Sequence, residues 1–119
     1  MDWEFSDDMP IYLQIINQVK AKIAAGTLKP GDKIAPVREL AMEAGVNPNT
    51  MQKALSELER EGVLYSKRTS GRFVSEQGEH TESLQEQMAQ EQMDHYLAAM
   101  QQLGYDRKQA VEKLWEYIG

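Results

Sequence analysis

The sequence predicts an α+β fold that is mainly helical: a small helical domain closed by one β-hairpin over residues 1–75, then a two-helix tail over residues 76–119. Three observations carry this expectation. Apolar residues recur at helical spacing in several separate stretches. The segment VLYSKRTSGRFV reads as two short strands around a polar tip. Proline and glycine fall between these stretches, where the chain must turn.

Trp3 and Phe5 alternate with acids, which predicts a short extended arm. Pro10 opens the first helix, because a missing N–H costs nothing at the first helical position. Ile11, Ile15, Val19 and Ile23 form its apolar stripe, and Gly26 ends it. TLKPGD, residues 27–32, is a turn. A second helix is expected from about Pro36 to Ala44, with Val37, Leu40 and Ala41 inward and Gly45 closing it. Asn47 is a good N-cap and Pro48 suits the first position of a third helix. Met51, Ala54, Leu55 and Leu58 give that helix its apolar face, and Gly62 stops it. Two helices joined by a turn of three or four residues containing glycine have the spacing of a helix-turn-helix. The strands that follow are expected at Val63–Tyr65 and Arg72–Val74, with Lys67–Gly71 as the tip. A basic hairpin after the second helix of such a pair is what a wing requires.

Residues 75–82, SEQGEHTE, read as a linker. Leu84, Met88, Met93, Tyr96, Leu97, Met100 and Leu103 then make one stripe, irregular between Met88 and Met93, that Gly104 ends. Asp106 and Gln109 form a capping box for the last helix, whose stripe is Val111, Leu114, Trp115 and Ile118. Tyr105 is placed to staple onto Ala110.

At 119 residues the chain has room for one modest core and a small appendage. It contains no cysteine, which excludes disulfides, thiolate zinc sites and a cysteine nucleophile. No apolar run approaches the roughly 20 residues that span a bilayer. The acidic start lacks the pattern of a signal peptide. These features predict a cytoplasmic protein without membrane contact. His80 and His95 are the only histidines and make no metal set; no metal and no cofactor are expected. No nucleophile–base pair or phosphate loop stands out, so no enzyme and no catalytic residue is expected.

The net charge of −6 is unevenly spread. Residues 1–10 hold four acids and no base, residues 11–74 ten bases and six acids, and residues 75–119 three bases and nine acids. A basic middle between acidic flanks can steer one face to phosphates while non-specific binding stays weak.

The strings PIYLQI (10–15), AGTLKPGDKI (25–34), VRELA (37–41), GVNPNTMQKALSELEREGVL (45–64) and GRFV (71–74) resemble the GntR family of regulators. The resemblance implies a winged helix-turn-helix, double-stranded operator DNA as partner, and homodimers. The two-helix tail resembles the YtrA-like subfamily, where such a tail forms the dimer interface. The family's usual Leu-Pro-Ser before VREL is Ile34-Ala35-Pro36 here. Family members often carry arginine where Pro48 and Gln52 stand, and a glycine common near the wing tip is Thr69.

DNA contacts are expected from three places. Burying the apolar face of the third helix leaves Asn49, Thr50, Gln52, Lys53 and Ser56 outward. Asn49 and Gln52 can pair with adenine, and Lys53 can reach guanine or phosphate. Asn47, as the N-cap, sits where a phosphate can approach. Lys67, Arg68, Thr69 and Arg72 belong to the wing. Arg38 matches the DNA-contacting arginine implied by the resemblance. Leu84, Met88, Met93, Tyr96, Leu97, Met100, Leu103, Val111, Leu114, Trp115 and Ile118 are the expected dimer interface.

The resulting expectation is a sequence-specific transcriptional regulator, a repressor, on a near-palindromic operator. The rival is a protein-interaction adaptor that kept the fold and lost specific DNA binding. No small-molecule effector can be read from the sequence.

Overall fold

The computed structural model describes the backbone of residues 2–76 and 78–119, and the side chains of residues 2–76 and 83–119. In chain order the elements are α1 (Ile11–Ala24), β1 (Lys33–Ile34), α2 (Val37–Ala44), α3 (Pro48–Arg60), β2 (Leu64–Lys67), β3 (Gly71–Val74), α4 (Gly78–Gln102) and α5 (Arg107–Ile118). The chain divides into two compact units, Met1–Gln85 and Glu86–Gly119, and the division falls inside α4.

In the first unit α1 packs against α3, and α2 closes on α3. Ile15, Val19 and Ile23 of α1 meet Met51, Ala54, Leu55 and Leu58 of α3 in one buried cluster. Five of these, Ile15, Met51, Ala54, Leu55 and Leu58, are 0% exposed. Burying a side chain of this kind is worth about 1.5–3 kcal/mol, so the cluster anchors the orientation of α3. Leu40 and Ala41 bring α2 onto the same core, and Ile34, Val63, Leu64 and Val74 close it from the sheet side.

The sheet has three antiparallel strands in the order β1-β3-β2, one more than the hairpin expected from sequence. Lys33 pairs with Phe73, and Ser66 with Arg72. Strand alternation sends Ile34, Leu64 and Val74 to the core and leaves Lys33, Tyr65 and Phe73 on the outer face. There Tyr65 and Phe73 stack at 5.7 Å.

The N-terminal arm lies against this unit through Trp3 and Phe5, whose rings stack at 6.1 Å. Gln14 is the one buried polar residue among those described, and it holds the arm. Its Nε2 donates to the Ser6 and Met9 carbonyls at 2.9 and 2.7 Å, and its Oε1 accepts from the Ser6 N–H at 2.8 Å. Gln18 grips the Glu4 backbone in the same way.

Two expectations are corrected. The linker over residues 75–82 is shorter than expected, because α4 begins at Gly78. Leu84, expected in a dimer interface, is sealed in the first unit's core at 8% exposure. Its neighbours there are side chains far back in sequence, which periodicity within the tail cannot reveal.

In the second unit Asp106 and Gln109 form the expected capping box at 2.8 and 3.0 Å. The Tyr96 hydroxyl donates to the Ala110 carbonyl at 2.6 Å, and Ala110 is fully buried. Met88, Tyr96, Leu97 and Met100 are half-buried. Met93, Leu103, Val111, Leu114, Trp115 and Ile118 remain exposed. No helix among the described residues is long and apolar enough to cross a membrane.

Candidate DNA interface

The turn between α2 and α3 sets the site. Gly45 takes a left-handed φ of 71°, a conformation that suits glycine because it lacks a Cβ. The Val46 N–H then returns to the Ala41 carbonyl at 3.0 Å. Asn47 caps α3, its side-chain oxygen accepting from the Asn49 N–H at 2.7 Å. Pro36 offers no side-chain cap to α2.

With Met51, Ala54, Leu55 and Leu58 buried, α3 turns Asn49, Gln52, Lys53 and Ser56 outward, while Thr50 is half-buried. Gln52 Nε2 donates to Ser56 Oγ at 2.9 Å, one turn along the helix. Lys53 Nζ sits 3.8 Å from the centre of the Tyr12 ring on α1, a cation–π contact that holds the ammonium on this side of the unit. Arg38 on α2 is exposed and has no ion pair among the described residues. It is therefore free to meet a phosphate. A surface of exposed amides and unpaired cations on a rigid helix pair can read base edges in the major groove.

The wing adds a second basic surface. Arg68 and Thr69 stand at its exposed tip. Lys67 Nζ lies 5.0 Å from the Phe73 ring centre and 5.9 Å from that of Tyr65. The Tyr65 hydroxyl donates to Glu76 at 2.9 Å, and that hydrogen bond raises the phenol's pKa above its ordinary value.

Arg72 departs from expectation. The sequence pattern places it in the wing as a DNA cation. Its Nε is instead spent on Glu59 of α3, and the side chain is only 19% exposed. Strand alternation turns it to the core side of the sheet, the same side as Ile34. Ser66 Oγ donates to the same Glu59 oxygen at 2.6 Å. Burial pushes the Glu59 carboxyl up, but the hydrogen bonds from Ser66 and Arg72 and the arginine's charge outweigh it, leaving Glu59 below the ordinary carboxylate value. Arg60 is likewise occupied by Glu57, one turn away on α3.

Sequence reasoning missed Lys33. It is exposed, has no ion pair among the described residues, and lies on β1 beside the wing. Its Cε comes within 3.4 Å of where a Cβ on Gly71 would stand, so glycine there lets the lysine lie across the wing. With Ser70, Gly71 and the residues leading into α2 it lines a notch of about 200 Å³. A two-residue strand paired only with distant β3 leaves no local signal.

Among the described residues no three His, Cys, Asp or Glu side chains gather as metal ligands. His95 is exposed, and the side chain of His80 lies outside those described.

The geometry defines a winged helix-turn-helix DNA reader. Residues 11–74 match the profile of the bacterial regulatory proteins of the gntR family, and the chain belongs to that family. It is 40% identical over 115 residues to the HTH-type transcriptional repressor YtrA of Bacillus subtilis, covering 92% of this chain and 82% of that protein. A GntR family transcriptional regulator from Listeria monocytogenes superposes with a TM-score of 0.85 at 33% identity, over 94% of this chain and 98% of that one. The structure of AraR(DBD) in complex with operator ORR3 aligns with a TM-score of 0.54 at 33% identity, over 63% of this chain and 88% of its own. The chain is a GntR-type DNA-binding transcription regulator.

Proposed function

We propose that this regulator is a repressor that binds a near-palindromic operator as a homodimer joined through its second unit. The observation that carries the dimer is the exposed row Val111, Leu114, Trp115 and Ile118 on α5. These residues repeat at helical spacing, so they form one face. An exposed apolar face of this kind marks an interaction site. A second copy suits it because a two-fold axis lets one stripe cover its own equivalent. Two identical readers related by that axis read an inverted repeat. Repression is supported by the name of the YtrA relative, and operator binding by the AraR complex.

On this reading Asn49, Gln52 and Ser56 face bases, while Arg38, Lys53, Lys67, Arg68 and Lys33 face phosphates. Asn47 and Thr50 support the start of α3, and Thr69 lies at the wing tip. Selection of genomic fragments with the purified protein tests the proposal. Enriched fragments should share an inverted repeat near a promoter, and the protein should block transcription from it. Enrichment of nothing above background would leave the adaptor reading in its place.

A further inference from the structure

We infer that Glu59 is a positioning residue for DNA binding, clamping the wing to the recognition helix through Ser66 and Arg72. The inference rests on the reading of α3 and the wing as DNA-contacting elements. Gln52, Ser56 and Glu59 follow one another at intervals of four and three, so they lie on one face of α3. That face carries the expected base contacts at its N-terminal end and a carboxylate toward its C-terminal end. An uncompensated carboxylate there would repel phosphates.

The structure shows why it is tolerated. Ser66 comes from β2 and Arg72 from β3, and both donate to the same Glu59 oxygen. One acid on α3 therefore holds both strands of the hairpin, at residues that pair with each other across the ladder. Glu59 and Arg72 side chains are only 29% and 19% exposed, so water competes weakly for them. A wing engages its groove only when its angle to the recognition helix matches the duplex. Fixing that angle beforehand removes an ordering cost from binding.

The clamp and simple charge bookkeeping predict opposite signs. If Glu59 were only a nearby negative charge, Glu59→Gln would strengthen DNA binding. If it is a clamp, Glu59→Gln and Glu59→Ala weaken it. The experiment measures affinity of the full-length variants for the selected operator, with hydroxyl-radical footprinting of the DNA backbone. Glu59→Ala should weaken binding about tenfold, on the scale of a lost hydrogen bond to a charged group. It should erase the wing's footprint and leave base preference at the Gln52 position intact. Arg72→Ala should match it without changing the salt dependence. The double variant Glu59→Arg with Arg72→Glu should recover most of the loss.

Tighter binding by Glu59→Gln would overturn the inference. So would an Arg72→Ala variant whose salt slope falls by about one, because that identifies Arg72 as a phosphate contact. Amide hydrogen exchange without DNA gives a readout independent of the functional reading. Glu59→Ala should speed exchange of the β2–β3 amides and leave those of α5 unchanged; unchanged β2–β3 exchange would also overturn it. Failure of the wild-type protein to bind any selected DNA would count against the proposed function and leave the exchange result to decide the clamp.

Discussion

Trp115→Ala should break the proposed dimer while leaving each protomer folded. Trp115 is 69% exposed in a single chain, although it stands on the apolar face of α5. A tryptophan presents about 250 Å² at most, so about 170 Å² of ring meets water in the free protomer. At about 25 cal/mol per Å², covering it completely is worth about 4 kcal/mol per protomer. That is an upper bound, since association has ordering costs that area does not register. A central aromatic anchor typically costs about 2 kcal/mol or more when truncated. The dimer dissociation constant should therefore rise at least about 30-fold. Sedimentation equilibrium from nanomolar to micromolar protein reads this directly. Glu116→Ala is the control: it lies on the other side of α5 and loses only the exposed ion pair with Lys113 at 3.6 Å. Circular dichroism should show unchanged helix in both variants. A Trp115→Ala protein with the wild-type dissociation constant would refute the assignment of this face.

Gln52→Ala should relax preference at one or two base pairs by about 1–3 kcal/mol, whereas Lys67→Ala should weaken all sequences about equally; equal losses on operator and scrambled DNA for both would sink that division of labour. Asn47→Ala removes the α3 cap and should lower stability by about 1 kcal/mol in urea titration, and an unchanged midpoint would contradict the capping role. Glu59 has a folded-state pKa below the ordinary carboxylate value, so its stabilising contribution is present above about pH 4.3 and is lost as pH falls through the folded value. Thermal melts between pH 3 and 7, roughly this window, should show a steeper acid loss in the wild type than in Glu59→Gln, and superimposable acid limbs would contradict it.

The helices were legible because their causes are local. Met51, Ala54, Leu55 and Leu58 announce a buried face, and Asn47-Pro48 announces where the helix begins. The capping box of Asp106 and Gln109 was readable for the same reason. What escaped depends on partners distant in sequence. β1 is two residues long and exists only because β3 pairs with it. Leu84 fits a tail stripe by spacing, yet it is buried in a core assembled from other elements. Arg72 reads as one more wing cation until strand alternation turns it toward Glu59, 13 residues earlier. Lys33 carries no motif and gains meaning only beside the wing. The proposed DNA-facing surface was therefore legible as a helix face, but which cations remain free on it was not.

The central claim is that the basic middle of an otherwise acidic chain is a phosphate-binding surface, and the salt dependence of operator binding tests it most directly. If each protomer neutralises about three phosphates, the dimer neutralises about six, and log affinity should fall against log salt with a slope of about −5. Exposed acids more than about 10 Å from the DNA are screened at 0.1 M salt, so the slope reports the cations that meet phosphates. The intact protein on its selected operator should give that slope. A slope near zero would show that this surface does not bind phosphates and would contradict the account.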